Sequence, residues 1–444
     1  MKKSLLLILA FWYASLNAQT MHVEGKDLYT AEGQKITLRG INYPIIDEGL
    51  GILGNQAQYR MKIEEAAKTG ANAIRIPWYS NGVHWLDQQV PGTIDGFIND
   101  GTLSDILSYC HEQGMIPILE LHDPNKYNNQ GVVEEYRLTC SDNWDYFNTV
   151  AANWWKSPSI LNLIEENKEY LVINLANEFG YAMWTGNTTQ AMNVFKMNYL
   201  ALINDLRQLG VEVPIMIDAP DCGQSSSELL SVAEEMVDND ADHNLIFSAH
   251  AYWYTYAPNQ NAIEAKLDEA VNKDVHFILG EVASRQDVTG TCSHALDYPV
   301  ILNQSCSRDI GWLGWAYSQD CDSRIMTPDG MFDNLTPYGE DLVYNQDYGL
   351  ISGGDCAAAP LAVVEVDQDE TKFGVAPNPA AYHIKFTHAE KIRQAKILDN
   401  SGRLIFTIGR QFENVDISFL SPGTYVISIE TKDGKTSSAK LIKK

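Results

Sequence analysis

Two glutamates stand where paired carboxyl chemistry is possible. They are Glu178, in Asn174-Leu175-Ala176-Asn177-Glu178, and Glu281, in Ile278-Leu279-Gly280-Glu281. Each ends an apolar run that reads as a strand buried on both faces. Cleaving a glycosidic bond with retention needs two carboxyl groups about 5 Å apart, one protonated and one ionised at the start. The pair fits that need, with Glu178 as proton donor and Glu281 as nucleophile. A single glutamate at a strand end is often only a solvated loop residue. The weight therefore lies on the pair and on what surrounds it.

Other side chains have roles to fill around such a pair. Arg75 sits inside Ile74-Arg75-Ile76, where an unpaired charge would be costly. Bonded to Glu281, it would lower the pKa of that carboxyl and keep it ionised. Asn177 precedes Glu178 and suits a sugar 2-hydroxyl, a contact that strengthens in the transition state. His250 and Tyr252 follow a sixth apolar run and are placed to orient the two carboxyls. Trp315 ends an eighth run and suits an apolar floor beneath the cleaved sugar. His122 ends the third.

Two other chemistries are disfavoured. His122-Asp123 and His250 offer ligand types for a divalent metal, but no HExxH or paired-histidine spacing is present. GxSxG is absent, which argues against a serine hydrolase. No cofactor and no metal are expected.

Positioning these residues takes eight strands. The runs cover residues 36–42, 71–77, 115–122, 170–177, 213–219, 244–250, 275–281 and 310–316. Between them lie helical patterns such as 59–68, 103–113, 193–209 and 263–272. Gly70, Gly114 and Gly210 follow three of these as stop signals. Eight βα units predict an α/β fold, a closed (β/α)₈ TIM barrel. An open doubly wound sheet is the runner-up, and it lacks a GxGxxG or P-loop after the first strand. Asn42, Arg75, His122, Asn177 with Glu178, Asp218, His250, Glu281 and Trp315 all fall at the carboxyl ends of the runs. In a barrel those ends meet at one mouth.

The rest of the chain sets the context. It has 444 residues and a formal net charge of −26. Residues 371–444 carry 12 Lys/Arg against 6 Asp/Glu, while the remainder carries 20 against 52. An acidic main domain argues against nucleic acid and anionic membranes as partners, and suits a neutral substrate. Residues 1–18 have a basic start, a short apolar core and small residues before Ala18, which reads as a secretory signal peptide. The apolar core is short for a membrane anchor. No later stretch reads as a membrane span, so no stable insertion is expected. Export permits disulfides, and seven cysteines leave at least one unpaired or intermolecular. Cys110, on a helix face, reads as a small buried residue.

The organisation read from the chain is a signal peptide at 1–18, a barrel domain at 19–352, a linker at 353–370 and a small β-sandwich at 371–444. The last module has alternating runs separated by Asp399-Asn400-Ser401-Gly402 and Ser421-Pro422-Gly423.

With its residues placed, the chain resembles glycoside hydrolase family five over roughly residues 23–352. The matches are Leu38-Arg39-Gly40-Ile41-Asn42, Gly70-Ala71-Asn72-Ala73-Ile74-Arg75, Glu120-Leu121-His122-Asp123, Asn174 to Glu178, Phe247-Ser248-Ala249-His250-Ala251-Tyr252 and Gly280-Glu281. Within the family it most resembles bacterial endo-β-1,4-mannanases, through Met216 to Ala219 with Cys222-Gly223-Gln224, Gly311 to Trp315, and Asn334 to Gly339. The resemblance implies a secreted retaining hydrolase of a β-1,4-linked plant cell-wall polysaccharide. Glu178 would be acid/base and Glu281 nucleophile, with Arg75, His122, Asn177, His250, Tyr252 and Trp315 lining the central subsite. Three departures stand out: Phe179 after the acid, Ala316-Tyr317-Ser318 after Trp315, and extra length over Thr139–Glu169. A mannanase and a cellulase both remain open, as does a carbohydrate-binding protein that has lost catalysis.

The tail resembles the C-terminal sorting domain of the type nine secretion system, through Pro377-Asn378-Pro379, Gly423-Thr424-Tyr425 and Lys440 to Lys444. That implies secretion machinery as a partner, with the tail removed or used as a surface anchor. A carbohydrate-binding module is the competing reading, but no tryptophan follows Trp315 to serve as a sugar platform.

Overall fold

Alternation along each apolar run decides which side chains face inward. In Ala73-Ile74-Arg75-Ile76, Ile74 and Ile76 join one buried cluster with the surrounding helices, while Ala73 joins a second. That second cluster also holds Leu38, Ile116, Ile118, Val172, Met216, Ile246, Ile278 and Leu313, so that each of the eight apolar runs contributes one or two residues. Such a layer of inward side chains is the packed interior of a barrel, not a pore.

In the computed structural model, eight parallel strands close on themselves. They are β1 (Arg39–Asn42), β2 (Ala73–Trp78), β3 (Ile116–Leu121), β4 (Val172–Asn174), β5 (Ile215–Asp218), β6 (Leu245–His250), β7 (His276–Val282) and β8 (Gly311–Gly314). Each is followed by a helix: α1 (Gln56–Ala67), α2 (Thr102–Glu112), α3 (Pro158–Asn167), α4 (Thr188–Gln208), α5 (Ser226–Asn239), α6 (Gln260–Val271), α7 (Tyr298–Cys306) and α8 (Pro337–Tyr344). All eight sequence-predicted strands are present. Gly114 and Gly210 take left-handed backbone just past α2 and α4, as their stop-signal role requires. The extra length over 139–169 folds as a helical run from Trp144 to Trp155 and then α3.

The structure describes residues 20–287, 292–353, 356, 375–378, 380–398, 404–410, 412–432 and 436–444. The proposed leader lies outside them, as does the proposed linker apart from Gly353 and Cys356. Among the described residues no helix is long and apolar enough to cross a membrane. The chain divides into two compact units, Met1–Leu361 and Ala362–Lys444. A three-stranded sheet over residues 22–36 adds Met21, Leu28 and Ile36 to the interior layer, at the end away from the carboxyl termini of the strands.

Among the described residues the second unit has two antiparallel sheets, one of three strands and one of four. Ile384 and Phe386 from the first share one core with Ile392, Ala395, Ile397, Ile427, Ile429 and Leu441 from the second. Its last strand, Thr436–Lys443, pairs with Gly423 to Glu430.

Three disulfides tie the first unit: Cys140–Cys222, Cys292–Cys321 and Cys306–Cys356. Cys110 is the free thiol, buried on α2 as expected, and burial pushes its pKa well above the ordinary range.

Candidate active site

The inward rows change character toward the carboxyl ends of the strands. Ala73 gives way to Arg75, Ile118 to Glu120, Met216 to Asp218, and Ile246 to Ser248 and His250. These polar groups are fully buried, so each must find a partner. Arg75 supplies most of the partners. Its Nε donates to Asn174 Oδ1 at 2.9 Å. Its Nη1 donates to Glu281 Oε1 at 2.9 Å and to Asn42 Oδ1 at 3.1 Å. Its Nη2 donates to Asn177 Oδ1 at 2.8 Å and to Asp218 Oδ2 at 3.2 Å. A planar fork with five donors suits this better than an ammonium would. Because Arg75 takes Asn177 Oδ1, the amide nitrogen of Asn177 is left as its donor.

Glu281 and Glu178 reach the site from β7 and from the residues just past β4. One carboxylate oxygen of each, together with a ring nitrogen of His250, lies within 4.8 Å of the others. His250 Nδ1 stands between them, 2.9 Å from Glu178 Oε1 and 3.4 Å from Glu281 Oε1. On its other side His250 Nε2 is 3.4 Å from Asp218 Oδ2. Tyr252 Oη donates to Glu281 Oε2 at 2.6 Å. Gly280 makes the close packing possible, because a Cβ there would sit 2.2 Å from Ser248 Oγ.

Electrostatics follow from this crowding. Burial opposes a charge on His250, but Glu281 and Asp218 outweigh it and raise its pKa to about 10. Burial likewise opposes the Asp218 charge, yet His250 and Arg75 bring its pKa down to about 2. His122 is raised too, Glu120 overcoming burial. A His250 held protonated has no lone pair for a metal, so the Glu178–His250–Glu281 cluster is a poor metal donor set. Arg75 bonds Glu281 and pulls its pKa down as expected, but it is not the strongest influence there. Burial pushes this carboxyl above its ordinary value, Glu178 adds to the push, and the pull of His250 and Arg75 only partly offsets both.

A cavity of about 520 Å³ opens over the pair. His122, Asn177, Glu178, Tyr252, Glu281 and Trp315 line it, as the resemblance implies. Arg75 and His250 do not. Both are wholly buried behind the carboxylates and touch those rather than the cavity. Trp315 stacks at 5.8 Å on His122. Its indole N–H donates to Asp320, which pairs at 2.9 Å with Arg324, and Arg324 lies over the Tyr252 ring at 5.6 Å. Trp184 and Tyr256 extend the cavity past Glu178. A second cavity of about 340 Å³ lies over the ends of β1, β2 and β3, lined in part by Tyr79, His84, Trp85 and Tyr127. Tyr79 contacts His122 at 5.9 Å, so the two cavities adjoin.

Several residues escaped the sequence reading. Glu120 hydrogen-bonds His122 Nδ1 at 3.0 Å and stands 3.6 Å from Arg75. Its signal was parity: two residues before His122 on a strand, it must share the inward face. Asp123 instead accepts from the Ser80 amide at 2.7 Å and from Tyr146 at 2.9 Å, which braces two loops. Of the departures from the family pattern, Phe179 and Tyr317 turn away from the cavity, whereas Thr139 and Cys140 at the start of the longer segment line it. Phe179 is buried, stacked at 5.0 Å on Phe147 and edge-on to Trp144. Tyr317 packs at 5.0 Å against Tyr43.

Residues 29–320 match the model described as cellulase, glycosyl hydrolase family 5. The chain belongs to glycosyl hydrolase family 5. It is a glycoside hydrolase, and its barrel is that family's fold. Residues 374–444 match a secretion system C-terminal sorting domain, as the resemblance of the tail implies. The chain is 25% identical over 329 residues to a mannan endo-1,4-beta-mannosidase of Salipaludibacillus agaradhaerens, covering 73% of this chain and 91% of that protein. It is also 25% identical to the enzyme of the same name from Streptomyces lividans, covering 83% and 84%. Among solved structures, the mannanase catalytic domain of Streptomyces sp. SirexAA-E superposes with a TM-score of 0.59 at 22% identity, covering 80% of this chain and 98% of that one. The beta-mannanase of Thermomonospora fusca gives 0.58 at 23%, covering 78% and 99%.

Proposed function

We propose that this glycoside hydrolase is an endo-β-1,4-mannanase that works by double displacement. Glu281 attacks the anomeric carbon while Glu178 protonates the leaving oxygen. Glu178 then takes a proton from water as that water opens the glycosyl-enzyme. The observation that carries the reading is the approach of the two carboxylates to within 4.8 Å. That spacing suits direct attack by a carboxylate and is too tight for the intervening water of an inverting enzyme. Arg75 and Tyr252 bond to Glu281 and hold it for attack. Asn177 offers its amide to the 2-hydroxyl, and Trp315 supplies an apolar face for the sugar ring.

Mannan as substrate is supported by the names of the relatives. The open cavity continuing past Trp184 on one side and toward Trp85 on the other suits attack within a chain. A β-1,4-glucan is the second reading, favoured by the description of the family model. Export would follow removal of residues 1–18, with the tail from 371 cleaved or kept as a surface anchor. The test is reducing-end release from galactomannan, glucomannan and carboxymethylcellulose, with the anomeric configuration of the first product followed by NMR. Mannan hydrolysis with β-product appearing first is expected. Cleavage of cellulose alone, or α-product first, would overturn the proposal.

A further inference from the structure

The Cys140–Cys222 disulfide lies across the end of β4. Cys140 belongs to the segment after β3, and Cys222 to the segment after β5. Strand β4 stands between those two in the barrel, so the bridge spans the strand end that presents Glu178. Cys140 Sγ is 3.2 Å from Glu178 Oε2. A disulfide sulfur carries no proton, so this is a packing contact and not a hydrogen bond. It sets a wall against one carboxylate oxygen, while His250 holds the other at 2.9 Å.

The two bridged segments also grip the backbone that follows Glu178. Gly180 donates to Ser141 O at 2.7 Å, and Asp221 donates to Gly180 O at 2.8 Å. The Asp221 carboxylate accepts from Ala182 at 2.9 Å and from Met183 at 3.0 Å. Tyr181 Oη donates to Cys140 O at 2.6 Å. Within this knot Cys140, Glu178, Asp221 and Cys222 all have positive φ, between 50° and 57°. Side-chain-bearing residues rarely adopt that conformation, and it persists only where the surroundings over-determine it. Glu178 is thus held in an unfavoured backbone state by two flanking segments, and the disulfide joins those segments covalently.

We propose that the Cys140–Cys222 disulfide is a positioning element for proton donation, fixing Glu178 Oε2 against the glycosidic oxygen. The inference rests on reading Glu178 as the proton donor. The other two disulfides lack this contact among the described residues. Cys306–Cys356 ties the end of α7 to the segment after α8, and neither cysteine lines either cavity.

Leaving-group dependence separates this role from general stabilisation. A polysaccharide leaves as a poor alkoxide and needs a proton, whereas dinitrophenolate leaves without one. The experiment measures kcat/KM, which reports the steps through formation of the glycosyl-enzyme, on glucomannan and on 2,4-dinitrophenyl β-mannobioside and β-cellobioside. It compares the full-length protein, Cys140→Ala/Cys222→Ala, Cys306→Ala/Cys356→Ala and Glu178→Ala, each with its Tm. For Cys140→Ala/Cys222→Ala the expected result is a fall of at least about tenfold on glucomannan, since a misplaced group of this kind costs up to about a hundredfold. The same variant should change less than about threefold in forming the glycosyl-enzyme from the activated glycosides. Cys306→Ala/Cys356→Ala should lower Tm with no such split. Equal loss on both substrate classes, or no loss on either, would overturn the proposal. Glu178→Ala is the reference. If it shows no split itself, the reading of Glu178 fails. If it shows the split and the cysteine variant does not, only the positioning role fails.

Discussion

Arg75 Nη1 donates to Glu281 Oε1 at 2.9 Å, from a strand three places away around the barrel. The bond joins the centre of the polar interior to the carboxylate that attacks in the proposed mechanism. Arg75 has no exposure to solvent, and it also meets Asp218 at 3.2 Å and Glu120 at 3.6 Å. Removing it strands three buried acids. Arg75→Ala is therefore expected to destabilise the barrel domain by about 3–5 kcal/mol, the usual cost of breaking a buried pair from one side. Urea unfolding measures this. Arg75→Lys keeps the charge but loses the fork, and it should lower kcat/KM by about a hundredfold while staying folded. A lysine variant with full activity would show that charge alone suffices.

Tyr252 bears on the acidic limb of the pH profile. Burial raises the Glu281 carboxyl above its ordinary range, so activity should fall on acidification at a pH above that of a solvent glutamate. The Tyr252 hydroxyl favours the ionised form by donating to it at 2.6 Å. Tyr252→Phe removes that bond, so the acidic limb should move to higher pH. Its kcat at the optimum should drop about tenfold to a hundredfold, the worth of a hydrogen bond to a charged group. The profile of kcat/KM against pH measures both effects. A limb that stays in place would separate Tyr252 from the ionisation of Glu281.

The barrel was legible because its signals are local. Eight apolar runs and intervening helical periods need no knowledge of contacts, and the strand-end residues then converge by closure alone. The split between residues that line the cavity and residues that stand behind it was not legible. Arg75 and Asn177 both end inward rows, yet Arg75 is sealed beneath the carboxylates while Asn177 faces the cavity. That depends on how far each row runs before the barrel opens, which is a property of register. The net direction of the Glu281 shift was not legible for a related reason. The sequence names the cation beside it, but burial and a second carboxyl act through space. The disulfide pairs share no spacing rule, and Cys140 meets Cys222 only because β3 and β5 flank β4.

His250 should couple stability to alkaline pH. Its pKa is about 10 in the folded protein against an ordinary 6.5, because Glu281 and Asp218 outweigh the burial that opposes its charge. A raised pKa contributes stability that is fully present below about pH 6.5. That contribution shrinks as pH rises and is lost on passing the folded value near 10. Unfolding free energy should therefore decline from pH 7 to pH 10. His250→Asn should be less stable than the parent at pH 6, and the gap should narrow toward pH 10. Denaturant unfolding at four or five pH values measures the difference. Parallel curves for the two proteins would mean that the imidazolium carries no net stabilisation.

Trp85 and Tyr127 should decide how the enzyme responds to chain length. Both are large aromatics left open to solvent, 42% and 56% exposed, on the walls of the second cavity. Ring contacts lead there from the first cavity: Trp315 to His122 at 5.8 Å, His122 to Tyr79 at 5.9 Å, Tyr79 to His84 at 4.4 Å and His84 to Trp85 at 5.4 Å. A polysaccharide crossing the mouth would follow that line. Loss of one aromatic contact is worth about 1 kcal/mol or slightly more, roughly a factor of ten. Trp85→Ala and Tyr127→Ala should each lower kcat/KM about tenfold on a hexasaccharide and leave the shortest cleavable oligosaccharide nearly unchanged. Neither residue touches Glu178 or Glu281, so the effect should appear in KM more than in kcat. Variants that respond to every chain length alike would place the second cavity outside the path of the substrate.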